Sequence, residues 1–212
     1  CAGVCGGDSV LSGCDNACNS TLVDDDCLEC GGSNFGDIDG DGTCDANDAT
    51  PNGEVTLDAN VTSGSADISY SSDVGVYGFQ FDVSGVTLTG ATSALGDVSF
   101  SGTTGTVIGF NMSGGSLPAG DGALVSLTFV ETAGGGTIGF DNVIVSGGSG
   151  LQLASTGPAS ASVPGCDTDC AGECNGSLVD DACGVCGGDG SDDQGCGCFE
   201  PGPSGCGNTC GS

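Results

Sequence analysis

Between residues 53 and 157, apolar and polar side chains alternate in short runs separated by Gly- and Ser-rich turns. "GEVTLDANVT" sets Val55, Leu57, Ala59 and Val61 against polar neighbours, and "VYGFQFDV" aligns Tyr77, Phe79, Phe81 and Val83. "TVIGFNM" aligns Ile108, Phe110 and Met112, and "ALVSLTFV" aligns Ala123, Val125, Leu127 and Phe129. In "TIGFDNVIV" the phase set by Ile138 and Phe140 shifts near Asn142, as at a β-bulge. Shorter runs lie at 66–70, 86–89, 98–100 and 151–153. A period of two places alternate residues on opposite faces of a strand, and no segment carries a helical period. Eight or nine such strands predict an all-β fold, an antiparallel two-sheet jelly-roll sandwich. About 105 residues suffice for one core.

The alternation stops on either side. Residues 1–52 hold seven Cys and eleven acids, residues 53–157 hold no Cys, and residues 158–212 hold nine Cys and nine acids. "GPASASVPG", with Pro158 and Pro164, reads as a stiff linker. The expected organisation is a Cys-rich repeat over 1–36, an acidic loop over 37–52, the sandwich over 53–157, a linker over 158–165 and a second Cys-rich repeat over 166–212. The flanks repeat each other: "CDNACNSTLVDDDCLECGG" at 14–32 matches "CAGECNGSLVDDACGVCGG" at 170–188, both with the spacing C-x3-C-x8-C-x2-C-G-G.

The flanks have too few apolar residues for a core, so cross-links must hold them. Sixteen cysteines in so short a chain point to an oxidising compartment and to disulfides. They are Cys1, Cys5, Cys14, Cys18, Cys27, Cys30, Cys44, Cys166, Cys170, Cys174, Cys183, Cys186, Cys196, Cys198, Cys206 and Cys210. Zinc or iron–sulfur ligation at the C-x2-C pairs Cys27/Cys30 and Cys183/Cys186 is the alternative, in a chain with no His. Because each flank holds an odd number, full oxidation requires at least one bond between flanks or between chains.

Charge sharpens the picture. The chain carries 29 acidic side chains, no Lys, Arg or His, and a formal charge of −29. Water, backbone N–H groups and bound cations are all that can satisfy those acids, and the self-repulsion opposes compaction. Nucleic acid is excluded as a partner, since no cationic side chain can meet a phosphate. No apolar run reaches the roughly 18 residues of a membrane helix. Without His or Lys, Ser–His and Cys–His catalysis is impossible, and no enzymatic role is expected.

"DIDGDGTCDAND" at 37–48 has the ligand order of an EF-hand-type calcium loop. Asp37, Asp39 and Asp41 stand at positions 1, 3 and 5, Gly42 at the turn, and Thr43 at the carbonyl position. Asp45 and Asp48 follow at 9 and 12. Ca2+ is the expected cofactor. Asp24 to Asp26, Asp180, Asp181, Asp189, Asp192 and Asp193 form further acidic clusters, readable either as calcium ligands or as a solvated face. Four N-x-S/T sequons, at Asn19, Asn60, Asn111 and Asn175, mark candidate glycosylation sites.

The 37–48 loop, with Cys44 inside it, resembles a thrombospondin type 3 repeat or half of a dockerin; Pro51 opposes the helix that a dockerin loop leads into. The middle segment, through "VYGFQFDVSG", "VIGFNMSGGSLPAGDG" and "ALVSLTF", is similar to cohesin-type sandwiches, whose jelly-roll plan some carbohydrate-binding modules share. The flanks look like the "DECGVCGGDG" arrays of secreted microbial surface proteins. These features lead to an extracellular or cell-surface structural subunit, a homopolymer joined through its Cys-rich ends and paired sheet edges. The alternative is a cohesin-like adhesion module that captures a protein (dockerin-like) or glycan partner. The absence of Trp weighs against stacking on glycan.

Overall fold

The computed structural model describes residues 11–18, 20–25, 27–32, 36–204 and 207–210. A two-stranded hairpin, β1 (Leu11–Ser12) and β2 (Ala17–Cys18), lies in the first flank. The sandwich follows as β3 (Glu54–Val61), β4 (Ser65–Ser72), β5 (Gly78–Ser84), β6 (Leu88–Thr92), β7 (Asp97–Phe100), β8 (Thr106–Phe110), β9 (Gly120–Phe129), β10 (Gly136–Ser146), β11 (Ala154–Thr156) and β12 (Ala161–Val163). One five-stranded sheet has the order β12-β10-β5-β8-β7, and the other β11-β3-β4-β9-β6. All pairings are antiparallel except β11 against β3. Residues 161–163, read from sequence as linker, are an edge strand of the sandwich. Pro restrains the ends of that segment but leaves the N–H groups between them free to pair.

Alternation builds the core. Val55 and Leu57 of β3, Phe79, Phe81 and Val83 of β5, and Val125, Leu127 and Phe129 of β9 face inward, each below 5% exposed. Burial of one such side chain contributes about 1.5–3 kcal/mol. Phe81 stacks on Phe79 with ring centroids 5.8 Å apart and meets Phe140 edge-on at 6.0 Å. Tyr70 is buried, and its hydroxyl donates to the Pro118 carbonyl at 2.8 Å. The bulge expected near Asn142 is present: β10 slips against β5 between Asp141 and Ile144, and Asn142 takes φ +52°. A second slip, between Ile68 and Ser69 against β9, turns Ala123 outward and lets both Leu124 and Val125 be buried.

In β8 the structure reverses the face read from sequence. Val107 and Gly109 point into the core, while Ile108 and Phe110 point to solvent, followed by Met112 in the next turn. The cause is Phe79. Its ring lies where a Cβ on Gly109 would stand, at 2.2 Å, so the space that a larger β8 side chain would occupy is already filled from β5. Tyr77 precedes β5 and is also exposed rather than in the core.

The flanks are built by staples. Six disulfides occur among the described residues: Cys14–Cys30, Cys27–Cys44, Cys166–Cys174, Cys170–Cys186, Cys183–Cys198 and Cys196–Cys210. Cys14–Cys30 and Cys170–Cys186 occupy the same repeat positions and both span 16 residues. A closed loop of about 15 residues corresponds to roughly 3 kcal/mol in the chain-entropy picture. The C-x2-C pairs are split between different bonds, so these sulfurs are disulfides and not zinc thiolates. Each described bond closes within its own flank. Cys1, Cys5 and Cys206 and the side chain of Cys18, on which the bond expected from odd parity under full oxidation would fall, lie outside the described residues.

Substituting Gly109→Val forces Phe79 from its place and destabilises the sandwich by about 1–3 kcal/mol. The thermal unfolding midpoint reads this directly. In the first flank, Leu28 holds φ +60° at 82% exposure, where the second flank has Gly172 and Gly184. Leu28→Gly therefore stabilises that turn by about 1 kcal/mol, seen as several-fold slower amide exchange over residues 27–32.

Candidate functional site

Three features hold the chain's chemistry: the acidic turns of the flanks, the 37–48 loop, and one outer face of the sandwich.

The flank turns repeat one device. The Asp25 carboxylate accepts the N–H groups of Cys27 (3.0 Å) and Glu29 (2.8 Å). Asp169 accepts those of Ala171 (2.9 Å) and Glu173 (3.0 Å), and Asp181 those of Cys183 and Val185 (both 2.9 Å). Asp193 does the same for Gly195 and Gly197. In the first three turns a backbone bond closes the same segment, from Asp25 N to Glu29 O, Asp169 N to Glu173 O and Asp181 N to Val185 O. Seven residues after each of these Asp stands a Gly, and a Cβ on Gly32, Gly176 or Gly188 would lie 2.0–2.1 Å from the carboxylate. Of the flank acids suggested as further calcium ligands, Asp25, Asp181 and Asp193 thus cap backbone, and Asp189 accepts the Ser191 N–H at 2.9 Å. Asp26 lies outside the described residues. The amides pull Asp169 and Asp181 below the usual carboxylate range, led by the bonds from Glu173 and Val185.

In the 37–48 loop the structure brings Asp37, Asp39 and Asp41 together, with one oxygen of each within 4.8 Å of the others. Two oxygens on opposite sides of one Ca2+ stand about 5 Å apart, so the spacing suits a single ion. Asp37 also accepts the N–H groups of Gly40 (2.8 Å) and Gly42 (3.1 Å), and Asp41 that of Thr43 (2.6 Å). Asp39 Oδ2 and Asp48 Oδ2 are buried without a hydrogen-bond partner. Burial raises the Asp39 carboxyl above its ordinary range, and the charges of Asp41, Asp48 and Asp73 push the same way. The donor set is all hard oxygen, and two orphaned buried oxygens need a positive partner, so these residues fit a calcium ion. Asp45 is turned elsewhere, accepting the Ile38 N–H at 3.0 Å. Asp73, between β4 and β5, lies outside the loop motif, and no sequence signal marks it.

The outer faces of the two sheets differ. On β3, β4 and β9 no large apolar side chain is exposed, and the exposed positions include Thr56, Asp58, Asn60, Ser69, Ser71 and Ser126. On the other sheet, Ile144, Gln80, Ile108 and Ser99 form one row across β10, β5, β8 and β7, and Ser146, Gly78, Phe110 and Asp97 form the next. Ile108, Phe110 and Ile144 are 38%, 42% and 43% exposed, and Met112 beyond them is 81% exposed. Asp82 and Asp141 stand directly opposite each other at one end. Like charges so placed are mutually unfavourable. Asn142 (2.8 Å) and Thr106 (2.7 Å) donate to Asp82, and those two bonds hold its carboxyl below the usual range. The apolar alternation of "TVIGFNM" was visible in sequence but read as core.

Of the sequons, Asn60 is exposed on β3. Asn111 is engaged, with Nδ2 donating to the Leu95 carbonyl at 2.6 Å and Oδ1 accepting two N–H groups. Asn175 donates to the Glu131 carboxylate, joining the second flank to the sandwich. Asn19 lies outside the described residues.

No protein-family model and no curated protein matches the chain. Among solved structures, it is similar to CaCohA2 from Clostridium acetobutylicum, at 20% identity over 54% of this chain and 92% of that one, with TM-score 0.42. A non-cellulosomal cohesin from the archaeon Archaeoglobus fulgidus matches at 12% identity over 52% and 91%, TM-score 0.40. The cohesin–dockerin complex Coh-OlpC-Doc435 from Clostridium thermocellum matches at 13% identity over 52% and 91%, TM-score 0.40.

The lowered Asp181 carboxyl has a pH consequence. Its ionised form supports the turn at all pH above the unfolded value of about 3.9. That support is lost as pH falls through the lower folded value. Amide exchange at Val185, corrected for intrinsic rate, is expected to accelerate from pH 5 to pH 2.5, and Asp181→Asn should remove the pH dependence.

Proposed function

We propose that this chain is an extracellular, protein-capturing module that binds through the outer face of the β10-β5-β8-β7 sheet. The observation that carries the reading is the asymmetry of the two outer faces. One exposes no large apolar side chain on β3, β4 or β9, while the other exposes Ile108, Phe110 and Ile144 on two adjacent rows, with Met112 beyond. A contiguous exposed apolar patch rimmed by polar residues marks an interaction surface. Its rim is acidic, through Asp82, Asp141 and Asp97, and the chain offers no cation to pair with them. The complementary partner is therefore a protein surface with apolar side chains at its centre and Lys or Arg at its edge, of the dockerin-like kind. The disulfide-stapled flanks suit an oxidising setting and act as rigid attachments on either side. In this reading calcium occupies the 37–48 loop, and the chain works by binding rather than catalysis.

The fibre reading draws less support. Edge strands β11, β12, β7 and β6 are only 3, 3, 4 and 5 residues long, and short edges resist strand addition.

Calorimetric titration of purified dockerin modules into the oxidised, calcium-loaded chain tests the proposal. At least one basic-rimmed module should bind, with affinity falling as salt rises. Phe110→Ala combined with Ile108→Asp should weaken it by about 30-fold or more, the scale of losing about 2 kcal/mol at a buried anchor. Binding unchanged by that pair, or no binding by any module, sinks the reading.

A further inference from the structure

The fold separates one N-x-S/T sequon from two others. Asn111 closes the turn after β8. Its Nδ2, the atom to which a glycan would be joined, donates to the Leu95 carbonyl at 2.6 Å. A Cβ on Gly96 or Gly115 would stand 2.9 Å or 3.0 Å from that nitrogen, so even a methyl group would crowd it. Asn111 Oδ1 accepts the N–H of Ser113, the hydroxyl residue of the same sequon, at 2.9 Å and that of Gly115 at 3.2 Å. Asn175 donates from Nδ2 to the Glu131 carboxylate, across to the sandwich. Sugar on either nitrogen would disturb a contact that the fold uses. Asn60 differs in each respect. It is exposed on β3, and among the described residues its side chain takes part in no hydrogen bond. Asp67 stands directly opposite on β4, but its Oδ1 accepts from Ser126 Oγ at 2.6 Å. Because β11 pairs with β3 only over Glu54–Thr56, no described strand is paired with β3 on that side beyond Thr56. Thr62, the hydroxyl residue of this sequon, is exposed in the turn into β4, where its Oγ1 meets Ser65 Oγ at 2.8 Å.

We propose that Asn60 is an N-glycosylation site, and that its glycan covers the polar sheet of the sandwich. The donor class is an oligosaccharide carried on a polyprenyl pyrophosphate. Asn60 Nδ2 forms a bond to the anomeric carbon, and the bond from that carbon to the pyrophosphate oxygen breaks. The lipid pyrophosphate leaves, and Nδ2 gives up one of its two protons to a base in the transferase. The proposal rests on the extracellular reading, which takes the chain past such a transferase, and is independent of the capture face. Asn60 shares a row with Asp67, Ser126 and Thr92 across β3, β4, β9 and β6. Ile108, Phe110 and Ile144 lie on the outer face of the other sheet, and in a sandwich the two outer faces point away from each other. A glycan at Asn60 therefore shields one sheet and leaves the apolar face open.

The test secretes the full chain from a eukaryotic host and takes the folded, oxidised fraction. An amidase that releases N-glycans, used in heavy-oxygen water, turns each glycosylated Asn into a labelled Asp. Trypsin finds no Lys or Arg, but an acid-specific protease places the sequons on separate peptides: Asn60 between Asp58 and Asp67, Asn111 between Asp97 and Asp121, Asn175 between Glu173 and Asp180. Mass spectrometry should find the label at Asn60 in most molecules and at Asn111 and Asn175 in few. Asn60→Gln should abolish the label at that position and leave the thermal midpoint unchanged, since the side chain holds nothing in the fold. Thr62→Ser, which keeps the sequon hydroxyl, should retain the label. An unlabelled Asn60 in wild type, or label at Asn111 or Asn175 as complete as at Asn60, would overturn the proposal. Either result leaves the capture face to be decided by its own titration.

Discussion

A chain with 29 carboxylates and no cationic side chain must find its positive partners in the backbone. The flanks show how. Each turn folds its Asp carboxylate onto two amides, two and four residues ahead, and at Asp25, Asp169 and Asp181 a glycine seven residues on leaves room for the second oxygen. The acids that look most like a burden in composition are the ones that organise the turns. In place of a hydrophobic core, each repeat has a charge-assisted cap and a disulfide. The loop at 37–48 departs from this pattern, because it gathers more carboxylate than nearby amides can satisfy.

Much of this was readable from sequence, and the failures are instructive. Strict alternation located the sandwich strands, and the phase slip at Asn142 was correctly read as a bulge. Alternation could not say which face of β8 is inside. "TVIGFNM" has larger apolar residues on one phase, yet Phe79 from a neighbouring strand fills the space above Gly109, a non-local fact. The segment with Pro158 and Pro164 read as linker because proline punctuates, but three residues between them pair with β10. Tyr77 kept the phase of Phe79 and Phe81 but lies before β5, where Val76, bridged to Leu117, takes the buried position instead. In the loop, Asp37, Asp39 and Asp41 converge as the motif requires, whereas Asp45 serves the Ile38 amide instead.

The sandwich occupies the middle of this arrangement physically as well as in sequence. Its first strand begins a few residues after the acidic loop, while Glu131 and Thr132, just past β9, receive hydrogen bonds from Asn175 and from the Cys166 amide of the second flank. The second flank therefore meets the body through polar contacts, away from the exposed side chains Ile108 and Ile144 of β8 and β10.

The staples of the flanks interleave. Cys183 lies before Cys186 closes the previous bond, and Cys196 lies before Cys198 closes the next. As a result every peptide bond from Cys166 to Cys210 sits inside at least one disulfide loop, and the same holds from Cys14 to Cys44. A single backbone break anywhere in those spans releases no fragment. The two halves stay covalently joined, and the module remains tethered to whatever lies beyond its flanks. The flanks thus behave like spliced rope, in which continuity outlasts the failure of any one strand.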